Sequence, residues 1–104
     1  MSKRIDKHAR AKGDLADLAE FIRRESPKSA LRFLEAAEKA FEFLADMPEI
    51  GGLEEDVRAE LVGLRCWPIR GFENHLIFYL PIENGIAVVR VLHAARDINS
   101  ILGR

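Results

Sequence analysis

A chain of 104 residues, 48% hydrophobic and 32% charged, is too apolar for intrinsic disorder and too short for two ordinary domains, so one packed core is expected. A net charge of −1 and an isoelectric point near 6.3 exclude the strong cationic excess with which proteins grip phosphate backbones. The lone Cys66 excludes an internal disulfide and is a poor start for a zinc site, while no apolar run approaches the ~20 residues of a membrane span.

The charge is unevenly spread: residues 1–60 carry −3 and residues 61–104 carry +2, the latter without a single lysine. The opening segment Met1 to Gly13 is charged and has no apolar h-region, so secretion is not expected and the reducing cytoplasm is. Within it Lys3 to Lys7 reads as a short edge strand. From Ala9 to Glu25 apolar residues recur at Ala11, Leu15, Leu18, Ala19 and Ile22, a helical stripe on a charged cylinder. Gly13 weakens that helix by up to ~1 kcal/mol relative to alanine.

Ser26-Pro27 restarts the chain, serine as N-cap and proline at the first helical position, where its missing N–H costs nothing. The second helix runs to about Asp46 on the stripe Ala30, Phe33, Leu34, Ala37, Phe41 and Leu44, and Met47-Pro48 stops it. So short a join predicts an antiparallel helical hairpin. Pro48 to Glu60, with Gly51-Gly52 and five acidic residues, reads as a solvated loop holding at most a helical turn. Three strands follow, Leu61–Trp67, Asn74–Ile82 and Ile86–His93, and Ala94 to Arg104 fits a short helix or tail. The class is α+β, a single domain with the helical hairpin laid on one face of an antiparallel meander.

Asn84-Gly85 between apolar runs marks a type I′ hairpin with Glu83 paired to Ile86. Counting outward puts Leu76, Phe78, Leu80 and Ile82 on one face with Ala87, Val89, Val91 and His93, the face expected to take the helices. The other face receives His75, Ile77, Tyr79, Pro81, Val88, Arg90 and Leu92, with Tyr79 across from Arg90. The third strand adds Arg65 and Trp67 to it and sends Val62, Leu64 and Cys66 to the core. No helix is left to cover this second face. Exposed aromatic surface studded with arginine fits a protein partner, unless the tail from Ala94 folds back over it.

Five stretches in order resemble a known family: Asp14 to Ile22 (DLADLAEFI), Ser26 to Ala30 (SPKSA), Leu64-Arg65, Asn74 to Tyr79 (NHLIFY) and Arg90 to Ile98 (RVLHAARDI). The chain is similar, over nearly its whole length, to toxins of the RelE/ParE superfamily of type II toxin–antitoxin modules, closest to the ParE branch. The resemblance implies a strand, a helical hairpin and a three-stranded antiparallel meander. It also implies a ParD-like antitoxin whose C-terminal segment wraps the toxin and whose N-terminal half binds the operator, so that DNA is met only indirectly.

Within the superfamily two activities compete. The RelE-type members are ribosome-dependent mRNA endonucleases, which need a general base, a general acid and cations around one phosphodiester. In this chain Leu76 stands where such enzymes tend to carry an arginine, Ala94 and Ala95 where tail bases would be, and the end Ile101-Leu102-Gly103-Arg104 has no tyrosine. Arg65, His75, Tyr79, Arg90, His93 and Arg96 remain as substitutes. ParE members resemble this chain better and inhibit DNA gyrase by binding, without catalysis or cofactor; an inactive member that only holds its partner is the third possibility. The expected partner-binding residues are Arg65, Trp67, His75, Ile77, Tyr79, Val88, Arg90, Leu92 and Arg96, with Trp67 as the leading hot spot. His93 reads as a hydrogen-bonded rim residue, Arg96-Asp97 as a cap or salt bridge, and Cys66 as core filler.

Overall fold

The computed structural model describes residues 3–104. Strand β1 (Arg4–Lys7) leads through His8 into α1 (Ala9–Arg23), and α2 (Pro27–Asp46) returns antiparallel to it. The hairpin turns where the sequence directs: the Ser26 Oγ accepts from the Ser29 N–H at 3.1 Å and Pro27 occupies the first turn. After α2 come β2 (Gly52–Leu53), a 3-10 turn (Ala59–Leu61), β3 (Arg65–Ile69), β4 (Phe72–Ile82), β5 (Gly85–His93) and α3 (Ile98–Leu102). The sheet order is β1-β5-β4-β3-β2, with β1 parallel to β5 and every other pair antiparallel.

The strand bounds differ from expectation most at β3, and one loop differs as well. Leu61 to Leu64 is not strand, because the 3-10 turn and Gly63 at φ 96° curl the chain before β3 starts at Arg65. The segment Pro48 to Glu60 is not wholly loop, since Gly52 and Leu53 pair with Cys66 and Arg65.

The β4–β5 register also differs. Ile82 pairs with Gly85, so the two-residue loop is Glu83-Asn84. Asn84 takes the left-handed conformation at φ 61° while Glu83 does not, so the turn is not of the I′ type. A bulge at Val89 then shifts the ladder, and Arg90 lies opposite Phe78 rather than Tyr79, which pairs with Val88.

The two faces of the sheet are exchanged relative to expectation as far as the bulge, beyond which Val91 lies under the helices and Leu92 on the other side, as expected. The helices cover the side carrying Ile69, Ile77, Tyr79, Ile86, Val88 and Val91, which join Ala11, Leu15, Phe33, Ala37, Phe41 and Leu44 in the main core. The opposite side carries Leu64, Phe78, Val89 and Leu92, roofed by Leu61 and by Leu102 of α3. Cys66, Leu76 and Leu80 pack against this second cluster. No broad bare apolar face results: one side lies under the hairpin and the other under the chain's own C-terminal segment. That segment is tied down by Arg104 to Glu54 at 3.0 Å and by the Arg58 N–H donated to the Leu102 carbonyl. Among the described residues no helix is long and apolar enough to cross a membrane.

Candidate functional site

The expected partner-binding residues do not converge on one surface. Ile77, Tyr79, Val88 and Leu92 are sealed inside the subunit, Leu92 on the opposite side of the sheet from the other three. Tyr79 is wholly buried and accepts the Gly51 N–H on its hydroxyl at 2.9 Å, and burial raises its pKa. Arg65, across the ladder from Tyr79, donates to the carbonyls of Glu49 at 3.0 Å and Gly51 at 2.7 Å. These two side chains therefore fasten the loop after α2 to the sheet. Arg96 is exposed at the start of the C-terminal segment, and its neighbour Asp97 caps α3 by accepting the Ser100 N–H.

Arg90 is committed as well. Its guanidinium makes a two-pronged pair with Asp14 of α1, 2.8 and 2.9 Å, and the same carboxylate accepts the Val91 N–H at 3.0 Å. β1 pairs with β5 only as far as Val88, so α1 supplies through Asp14 the acceptor that a neighbouring strand would otherwise give. The hydrogen bond to Asp14 holds the Arg90 pKa above its ordinary value.

His75 and His93 face each other across the ladder with ring centroids 5.0 Å apart, and the Phe33 ring packs against His75 at 5.0 Å, tilted by 60°. The His75 Nδ1 is buried without a partner, whereas the His93 Nδ1 accepts the Ala95 N–H at 3.0 Å. Desolvation first, and the neighbouring His93 second, lower the His75 pKa below 6.5. Burial of the neutral ring therefore contributes stability that is complete above pH 6.5 and is lost as pH falls through the depressed value. The denaturation midpoint is expected to drop on acidification below pH 6.5, and His75→Phe, which keeps the aromatic packing, should flatten that drop. An unchanged pH profile in this variant would show that other groups govern acid sensitivity. The Cys66 thiol is pushed up to about 11, chiefly by burial, which keeps it protonated and a weak nucleophile at neutral pH.

An open, shaped surface is present on another part of the molecule. Between α2 and the outer edge of β3 lies a groove of about 740 Å³, lined on the helix by Arg32, Glu35, Ala36, Lys39, Ala40 and Phe43 and opposite by Trp67, Pro68, Arg70 and Glu73. Phe43 is 40% exposed and its ring lies 5.8 Å from that of Trp67. Among the described residues Arg32, Lys39 and Arg70 form no ion pair. Of the residues singled out from sequence, only Trp67 belongs to this groove. Phe43 was missed, although its signal is legible: Arg32, Ala36, Lys39 and Phe43 recur at helical spacing one step round from the core stripe.

A family model described as "ParE toxin of type II toxin-antitoxin system, parDE" matches residues 5–98. No curated protein matches the chain.

Proposed function

The chain belongs to the ParE family of toxins from type II toxin–antitoxin systems, and from that premise we propose that it inhibits DNA gyrase by binding and is neutralised by a ParD-like antitoxin in the cytoplasm. An antitoxin partner comes with the family; its ParD type and the gyrase target are the steps added here. The observation that favours gyrase binding over RNA cleavage is the internal commitment of three of the groups a nuclease would draw on. Arg90 is locked to Asp14 with only 13% of its side chain exposed, Tyr79 is fully buried on the Gly51 N–H, and His75 is packed between aromatic rings as a neutral base. Phosphodiester cleavage requires a cation and an acid–base pair that touch the reacting phosphate. A binding toxin requires only a complementary surface, and the low net charge suits a protein target better than ribosomal RNA.

Adding the purified chain to gyrase, ATP and relaxed plasmid is expected to inhibit supercoiling and to accumulate cleaved DNA, with both effects abolished by prior addition of the antitoxin. Induced expression without the antitoxin should raise a DNA-damage response before translation stops. Cleavage of messenger RNA in a translating extract, with gyrase unaffected, would replace this function by the nuclease. Unchanged growth on expression of the folded chain would mark an inactive member that only binds its partner.

A further inference from the structure

β1 closes one end of the sheet, and among the described residues no strand pairs with its outer edge. The Arg4 N–H goes to the Asn84 carbonyl and the His8 N–H to that of Val88, so the even-numbered residues of this stretch bond to β5. Alternation turns the N–H and C=O of Ile5 and Lys7 the other way, to the unpaired side. Such an edge is a template for another strand, and charged side chains are the usual means of repelling one. Here the charges select a strand instead.

The charge pattern is antisymmetric about Ile5. Ile5 packs against the main core, and Lys7 reaches Glu38 and the Phe41 ring of α2, so both point to the helix side. Arg4 and Asp6 therefore lie on the opposite side of the strand, about half exposed, and pair with each other. Two copies of β1 laid antiparallel and centred on Ile5 bring Arg4 of each across from Asp6 of the other. The neighbouring registers that keep the same edge groups facing put Arg4 across from Arg4 or Asp6 across from Asp6. A parallel alignment in register sets like against like along the whole strand. On the helix side Lys3 arrives opposite the other copy's Lys7, where Glu38, 51% exposed, is placed to accept from both lysines.

We propose that the free chain forms a twofold dimer through its β1 edges, joining two five-stranded sheets into one of ten and exchanging the Arg4–Asp6 pairs between copies. The occupant of the edge is a second copy of this chain, because one register out of its near alternatives satisfies both the backbone and the charges. The inference does not depend on the gyrase reading.

Sedimentation velocity of the full chain across about 1 μM to 1 mM is expected to show a monomer–dimer equilibrium. Arg4→Glu and Asp6→Arg each place two like-charge pairs in the homodimer, and each should raise its Kd about tenfold. Mixing the two variants in equal amounts should restore the parent's affinity, because every cross-strand pair between unlike chains then joins an acid to an arginine. Damage to the fold of either chain would not be mended by mixing. Hydrogen exchange gives a second reading: the Ile5 and Lys7 amides should gain protection as concentration rises, while the Arg4 and His8 amides, bonded to the β5 hairpin, stay protected throughout.

A chain that stays monomeric to about 1 mM, single variants that dimerise within about twofold of the parent, or a mixture no tighter than its components would each overturn the proposal. So would Ile5 and Lys7 amides that become protected only when antitoxin is added, since the edge would then belong to a strand of that protein.

Discussion

Gly85→Ala is expected to destabilise the chain by roughly 3 kcal/mol, a fall of about 12–24 °C in the thermal midpoint for a domain of this size. A Cβ built on Gly85 would sit 1.9 Å from the Arg4 carbonyl oxygen and 2.8 Å from the Arg4 nitrogen. Backbone cannot yield as the tip of a flexible side chain can, so β1 must leave the sheet or the hairpin must bend. Either outcome breaks the Arg4 N–H to Asn84 carbonyl bond at 2.8 Å and strains the parallel ladder that ends with the His8 N–H on the Val88 carbonyl. Hydrogen exchange should therefore find the Arg4 and His8 amides opened well before those of β4. Asn84→Gly is the control, because glycine accepts the positive φ there and should cost little. A Gly85→Ala protein that melts within about 2 °C of the parent would show that β1 contributes almost nothing to the fold.

Asp14→Ala is expected to cost about 3 kcal/mol, because one carboxylate neutralises Arg90 and satisfies the Val91 N–H in a site where the two side chains are only 12% and 13% exposed. Asp14→Asn keeps the shape and an acceptor for Val91 but discards the charge, and should lose about half as much. Replacing both partners by apolar residues, Asp14→Leu with Arg90→Met, should recover part of the loss, since no charge is then stranded. Urea denaturation of the parent, Asp14→Leu, Arg90→Met and their double variant measures the coupling, and a cost below about 1 kcal/mol for Asp14→Ala would place the pair among ordinary surface contacts. There is a consequence for function. Arg90→Ala weakens the same joint between α1 and β5, so any loss of activity in that variant reports unfolding unless its stability is measured alongside.

The elements were legible because local rules fix them. The helical stripes, the Ser26-Pro27 start and the stop at Met47-Pro48 depend on spacing and backbone sterics within a few residues, and the α-helices lie within two residues of where those rules set them. The same holds for α+β order, for the strand character of β4 and β5, and for the family resemblance, which matches residues 5–98. Asn84-Gly85 was recognised as a turn signal, yet the glycine is needed for another reason. It admits the Arg4 backbone from the far end of the chain, a contact that no window around residue 85 contains.

What tertiary structure alone decided is which face of the sheet meets the helices, and with it the site. Alternation sorts β4 into two sets but does not say which set is roofed by what, and both sets here are apolar because the hairpin covers one and α3 with the 3-10 turn covers the other. The bulge at Val89 then reverses the parity of β5 beyond it, parting Leu92 from Tyr79 and Val88. Trp67 therefore keeps a place on open surface only because α2 happens to set Phe43 beside it, while Tyr79 and Arg90 are drawn inward by Gly51 and Asp14. Short-range chemistry determined the pieces and their order; burial, which depends on contacts between residues 28 to 77 positions apart, determined which side chains were left facing outward.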